Sequence, residues 1–254
     1  MTGAAVIVAC GGLGARYRAD ADVTEKQFAL LAGKPVLAHT LDVPEEHPRV
    51  EFIVLVLPAS LVDRGKALVG GQWSGVAGLR HNDESAQTGY AKVRAVVAGG
   101  ASRGESVANG LAALEQIGWD GPVLVQDGVR PCTPGEVYDR VIDGVMARGN
   151  AVAAVALRDS LKRADGDGLV LETVDRRNLW QIQTPQGFWM AALREAYAEG
   201  RRRQIQATDD AALVEALGRP VYLVEGHPAN IKLTYREDMV VLEALLLAKA
   251  RWRP

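Results

Sequence analysis

The stretch Ala9-Cys10-Gly11-Gly12-Leu13-Gly14-Ala15-Arg16 carries residue types suited to holding phosphate. Glycines let the backbone turn sharply and approach a ligand closely, and the amide hydrogens of such a turn cradle phosphate oxygens. Arg16 and, further on, Lys26 add two cations beside that cradle. A polyanion needs both amide donors and positive charge to be held, so the combination points to a nucleoside triphosphate. An ordinary Gly-rich turn of an α/β fold is the plainer alternative, because a short glycine pattern alone is a weak signal. Two familiar phosphate loops do not match. No Lys-Ser or Lys-Thr pair closes the loop as the Walker pattern requires, and Tyr17 stands where a dinucleotide fingerprint has its third glycine.

Two further stretches belong to the same chemistry. Gly99-Gly100-Ala101-Ser102-Arg103-Gly104-Glu105-Ser106 is a second Gly/Ser-rich turn. Gln126-Asp127-Gly128-Val129-Arg130-Pro131 follows the apolar run Val123-Leu124-Val125. An aspartate at the carboxyl end of a parallel strand is placed to act on a metal held by phosphates. A turn or helix-capping role for Asp127 stays open at this point.

These residues need elements to position them. Ala4 to Val8 and Phe52 to Leu57 read as strands buried on both faces, with the helix that starts near Pro35 between them. Strand, helix, strand implies a right-handed crossover and a parallel sheet. The expectation is therefore a single α/β domain over residues 1–254, a Rossmann-like, mostly parallel twisted sheet flanked by helices. Glycine-rich turns at strand ends then converge on one crevice. Residues 70–92 read as a polar, mobile insertion with few buried contacts, and Gln183-Thr184-Pro185-Gln186 reads as a break before a helix around Trp189 to Tyr197. Between 157 and 179, the Asp165-Gly166-Asp167-Gly168 turn separates two alternating stretches, which predicts a protruding β-hairpin arm. A two-stranded hairpin is marginal in water, so the arm is expected to pack on a second subunit.

Composition narrows the partners. With 29 Lys and Arg against 31 Asp and Glu the net charge is −2, so no global field draws in nucleic acid or an anionic membrane. No apolar run is long enough to span a bilayer. The four histidines form no short-spaced pair, which disfavours a zinc site, and the two cysteines, Cys10 and Cys132, read as reduced thiols of a cytoplasmic protein.

Taken in order and spacing over nearly the whole chain, these marks resemble the 2-C-methyl-D-erythritol 4-phosphate cytidylyltransferase family of the sugar-nucleotide transferase superfamily. The stretches that carry the resemblance are the Gly-rich loop with Arg16, Glu25-Lys26-Gln27, Gly99-Gly100 to Ser106, Asp127 with Arg130-Pro131, and Arg158-Asp159-Ser160-Leu161-Lys162-Arg163. Val174-Asp175-Arg176, Gln183-Thr184-Pro185-Gln186, Thr208-Asp209 and Asn230-Ile231-Lys232-Leu233-Thr234 complete them. The resemblance implies Mg2+-dependent attack of a polyol phosphate on the α-phosphorus of CTP, in a homodimer. It implies that Arg16 and Lys26 stabilise the transferring phosphorus and that Ala9, Cys10, Gly11, Gly12, Leu13, Gly14, Gly100, Arg103 and Ser106 hold CTP. Asp127 would bear on the metal or the ribose, Arg176 and Lys232 would grip the polyol phosphate, and Arg130, Ser160, Thr208 and Asp209 would lie near that substrate. The chain departs from the family pattern at Ala9-Cys10-Gly11-Gly12, at Gln126-Asp127-Gly128-Val129-Arg130-Pro131 and at Ser160, and the Gly-Gly and Val-Arg-Pro forms lean toward ribitol 5-phosphate relatives. Leu161-Lys162-Arg163 and Val174-Asp175-Arg176 lean toward methylerythritol phosphate and touch the polyol, so they weigh more. A catalytically idle nucleotide-binding paralogue is the reading of another class, and the presence of all four cations argues against it.

Overall fold

A computed structural model of the chain describes residues 3–10, 25–71 and 89–251, with side chains up to 248. The strands are β1 (Ala4–Ala9), β2 (Leu30–Leu31), β3 (Lys34–Pro35), β4 (Val50–Leu57), β5 (Val93–Ala98), β6 (Pro122–Asp127), β7 (Asn150–Ala156), β8 (Leu161–Ala164), β9 (Val170–Val174), β10 (Trp180–Trp189) and β11 (Tyr222–Glu225). The helices are α1 (Val36–Glu46), α2 (Val62–Val69), α3 (Arg103–Gln116), α4 (Gly135–Arg148), α5 (Met190–Arg202), α6 (Asp210–Glu215) and α7 (Asp238–Arg251).

Seven strands form the central sheet in the order β11-β7-β10-β6-β1-β4-β5. Every neighbouring pair is parallel except the two that β10 makes with β6 and β7. The α/β sheet expected from the alternation of apolar runs and helices is thus what forms, with one strand reversed. Alternation along β1 shows why its residues had to be apolar throughout. Val6 and Val8 join the core packed under α1 and α4, while Ala5, Ile7 and Ala9 join the one under α3 and α5. A strand covered on both faces has no polar side to show.

Register brings the carboxyl ends of the parallel strands to one edge. Ala9 stands beside Val56 on one side and beside Asp127 on the other, and Leu57 stands beside Ala98. The second Gly/Ser-rich turn leaves that edge directly after β5. Its glycines are required by close approach: a Cβ on Gly99 would meet the Ser106 hydroxyl at 2.5 Å, and one on Gly100 would strike Glu105. Ser102 then caps α3, its side chain accepting from the Glu105 amide, a standard way to satisfy the first turn.

Two sequence expectations change. Gln183 to Gln186 does not break the chain; it lies inside the ten-residue strand β10, and a register shift between Ile182 and Gln186 absorbs Pro185. Proline signals an interruption in sequence, yet a strand tolerates one where the ladder is already irregular. Residues 72–88 of the insertion lie outside the described residues, but its distal end is anchored. Tyr90 is buried and donates to the Ala38 carbonyl at 3.1 Å and to Asp42 at 3.0 Å, while Glu45 accepts from the amides of Ala91 and Lys92. The expectation of few buried contacts fails for 89–92, because a single tyrosine with a helix to pack on makes an anchor that apolar periodicity cannot reveal.

The hairpin forms where expected. β8 and β9 pair antiparallel apart from the main sheet, and Leu169, Val170 and Leu171 stay exposed.

Candidate active site

Asp127 ends β6 at the sheet edge and is 5% exposed. Three cations converge on its carboxylate: Lys232 Nζ at 3.0 Å, Arg130 Nε at 3.2 Å and Arg103 Nε at 3.4 Å. Burial by itself would raise this carboxyl, but Lys232, Arg130 and Arg103 outweigh it and hold it well below the usual carboxylate range. Asp127 is therefore an anion at any physiological pH. Its amide donates to the Thr184 hydroxyl at 3.0 Å, so β10 fixes the residue from behind.

Each cation arrives on a different element. Arg103 is the first residue of α3, directly after the Gly/Ser-rich turn. Arg130 is buried in the loop after β6, with Nη1 donating to the Asn230 carbonyl at 2.8 Å. Lys232 comes from the segment before α7. Asn230 ties that segment down: its side-chain amide donates to the Thr184 carbonyl at 2.8 Å and its oxygen accepts from Thr133 at 2.8 Å. Lys26, in a short 3-10 turn, donates to the Leu233 carbonyl at 3.3 Å, next to Lys232. Two lysines are thus brought to one rim although more than 200 residues separate them, |i−j| being 207 for the Lys26 contact.

Ala9 and Cys10 lie at the same edge, where the Ala9 carbonyl accepts from the Gly128 amide at 2.9 Å. A Cβ at position 128 would collide with the Cys10 sulfur, so Gly128 lets the loop after β6 pass over β1. Burial, then the Asp127 charge, pushes the Cys10 thiol up to about 12, only partly offset by Lys26. This sulfur packs as a neutral group.

The remaining expected site residues fall into four groups. Gly11, Gly12, Leu13, Gly14 and Arg16 lie outside the described residues. Gly100 and Ser106 stand at the edge, with the Ser106 hydroxyl accepting from the Gly100 amide at 3.2 Å and donating to the Ser102 carbonyl at 2.9 Å. Ser160 and Arg176 are exposed on the arm, and Thr208 is exposed ahead of α6. Asp209 caps α6, taking the Ala212 amide at 3.0 Å on one oxygen and the Gln186 side chain at 2.8 Å on the other.

Asp210 and Tyr197 carry no motif with a site role in the sequence, and Thr184 and Asn230 stand in stretches that carry the resemblance without a role of their own. Asp210 is fully buried, receives Arg103 Nη2 at 2.8 Å and is hydrogen-bonded by the Tyr197 hydroxyl. The signal available was a charged residue directly inside a helix start whose other face is apolar. Chemically, the edge offers a ring of fixed cations around one buried anion beside backbone turns, an arrangement that binds and stabilises phosphate charge without a protein nucleophile.

The sequence profile described as 2-C-methyl-D-erythritol 4-phosphate cytidylyltransferase matches residues 4–248. The protein of that name from Geotalea uraniireducens (strain Rf4) is 40% identical over 240 residues, covering 94% of this chain and 95% of the relative. Its namesake from Dehalococcoides mccartyi (strain CBDB1) is 40% identical over 222 residues, covering 87% and 88%. The crystal structure of a 4-diphosphocytidyl-2C-methyl-D-erythritol synthase superposes with a TM-score of 0.76 at 30% identity, over 97% of this chain and 99% of that one. The 2-C-methyl-D-erythritol 4-phosphate cytidylyltransferase of Thermus thermophilus gives 0.71 at 30% identity, over 97% and 100%. By sequence and by fold alike, this chain belongs to the 2-C-methyl-D-erythritol 4-phosphate cytidylyltransferase family.

Proposed function

We propose that the protein joins CTP to 2-C-methyl-D-erythritol 4-phosphate, a step of isoprenoid precursor synthesis. A phosphate oxygen of the polyol forms a bond to the α-phosphorus of CTP, the bond to the bridging oxygen breaks, and diphosphate leaves with the electron pair. The observation that carries this reading is the ring of Arg103, Arg130 and Lys232 around Asp127, with Lys26 at its rim, on the edge where β1 ends and the Gly/Ser-rich turn after β5 leaves the sheet. Such a transfer needs positioning and charge stabilisation far more than covalent help from the protein.

In this reading Lys26 and Arg16 face the developing charge on the phosphorus and the departing diphosphate, and Lys232 meets the polyol phosphate. Gly100 and Ser106 shape the wall that holds the cytidine, and Ala9 and Cys10 lead the chain into the phosphate loop. Arg130 orients Asp127 and the Asn230 turn instead of reaching freely into solvent. Thr208, Asp209 and Ser160 lie toward the polyol.

Mg2+ fits the residues present. Among the described residues no group of three His, Cys, Asp or Glu could cage a metal, and the donor offered is one ionised carboxylate, Asp127. One carboxylate with substrate phosphates is how Mg2+ is commonly held, and the ion would draw charge off those phosphates.

We also propose a homodimer built through the β8–β9 arm. Leu169, Val170 and Leu171 are 67%, 53% and 58% exposed on it, an apolar surface that a lone hairpin has no means to cover. Among the described residues no helix is long and apolar enough to cross a membrane.

Diphosphate release tests the assignment with CTP against methylerythritol phosphate, ribitol 5-phosphate and glycerol phosphate, and then with UTP or ATP in place of CTP. Turnover is expected with CTP and methylerythritol phosphate. Preference for ribitol phosphate would make it a ribitol 5-phosphate cytidylyltransferase, equal use of UTP or ATP would remove the cytidylyl assignment, and binding without turnover would make it an idle paralogue.

A further inference from the structure

We propose that Asp210, held by Tyr197, is a positioning residue for CTP binding: it aims the Arg103 guanidinium at the site through a buried contact between the start of α6 and the start of α3. The inference deepens the cytidylyltransferase reading and rests on it.

The geometry is that of a lever. Arg103 touches two carboxylates through neighbouring nitrogens of its guanidinium, Nη2 on Asp210 at 2.8 Å and Nε on Asp127 at 3.4 Å. A guanidinium is planar and rigid, so fixing one nitrogen constrains where the others point. The Asp210 contact is the shorter, and Asp210 is wholly shut from water, whereas the Arg103 side chain is 28% exposed. Asp210 in turn is pinned by the Tyr197 hydroxyl of α5, and its own place at the start of α6 is set by the Asp209 cap. Helices α3, α5 and α6 thus meet at this carboxylate. The opposed charges reinforce one another: burial opposes the Arg103 charge, but Asp210 and then Asp127 raise its hold on the proton above the ordinary arginine range.

A triphosphate at the sheet edge competes for the cations on Asp127. Arg103 can turn toward phosphate without leaving its charge uncompensated, because Asp210 stays bonded to it. Among the described residues Arg130 has no second carboxylate of this kind, its other contact being the Asn230 carbonyl. Arg103 is therefore better equipped than Arg130 to change partners while staying aimed.

The test is a double-mutant cycle read as CTP affinity. Wild-type protein must first bind CTP in titration calorimetry; failure there refutes the cytidylyltransferase reading itself. Asp210→Asn keeps the shape and removes the charge, and is expected to weaken CTP binding by about tenfold or more, the scale of a charged hydrogen bond. Its KM for CTP should rise while KM for the polyol phosphate stays as in wild type, a split that general loosening of the fold does not produce. In an Arg103→Met background the same substitution should add nothing, since its route of action is gone. Tyr197→Phe leaves both charges in place and serves where Asp210→Asn fails to fold; it should weaken CTP binding by roughly two- to fivefold, again only when Arg103 is present. Unchanged CTP affinity in folded Asp210→Asn, additive losses in the cycle, or equal rises of both KM values would each overturn the proposal.

Discussion

Asp127 has the burial of a core residue and the company of an ion-binding one. Removing its charge leaves Arg103 and Arg130 facing each other without their shared anion, so Asp127→Asn is expected to cost about 3 kcal/mol of stability at pH 7, the scale for breaking a buried pair. The pH dependence has a definite sign. The folded carboxyl is held below the value of about 3.9 that an unfolded aspartate has, so its contribution is complete above that value and declines as pH falls through and below it. Urea unfolding of wild type and variant should show a gap at pH 7 that narrows by roughly 1 kcal/mol at pH 3. A gap that widens in acid would contradict the charge ring. Lys26 tests the chemistry instead of the fold. If it meets charge that develops only in the transition state, Lys26→Ala lowers kcat by about two to three orders of magnitude while calorimetry still detects CTP binding; undiminished kcat removes it from the mechanism. Asp127 was legible in sequence because it closes an apolar strand, whereas Arg130 and Lys232 were singled out through the family resemblance. Asp210 and Tyr197 were not legible, since Arg103 lies 107 residues from Asp210, Tyr197 joins the site only through Asp210, and no local pattern links the three.

At the scale of elements, what was legible is the set of strands whose residues are apolar without interruption. β1, β4 and β6 announce themselves because both faces are covered. β10 does not, because its first residues are exposed and a proline interrupts it. The insertion shows the same divide. Its end is anchored by Tyr90, which shares Asp42 with Lys34, whose ammonium stands 2.5 Å from that carboxylate. Replacing residues 72–88 by a short glycine-serine linker, with 89–92 retained, is expected to leave thermal stability and kcat near wild type. Carrying the deletion through Tyr90 should lower Tm clearly, as a buried aromatic and its hydrogen bonds are lost with it. A folded but inactive linker variant would make 72–88 a lid over the substrates.

For the whole molecule, the question is whether one chain makes a complete site. Arg176 and Ser160 are exposed on the arm, whereas Lys26, Lys232 and Asp127 gather at the sheet edge. If the arm crosses to a second copy, Lys26→Ala and Arg176→Ala proteins are each nearly inactive alone but complement on mixing. Random exchange of equal amounts makes about half of the dimers mixed, each with one intact site, so activity returns to roughly a quarter of wild type. No recovery after verified subunit exchange would place both residues in one site of one chain.

The reversed strand then takes on a mechanical meaning. β10 begins at the foot of the arm and runs between β7 and β6 to Trp189, and on the way Thr184 receives the Asp127 amide. It is a strut with one end at the proposed subunit contact and its middle against the central carboxylate. A strut of this kind carries load, so docking of the arm would stiffen the backbone that orients Asp127. The Asp127 amide proton should accordingly exchange with deuterium more slowly at concentrations that favour the dimer than on dilution, and a dilution-independent rate would mean the arm and the site are mechanically separate.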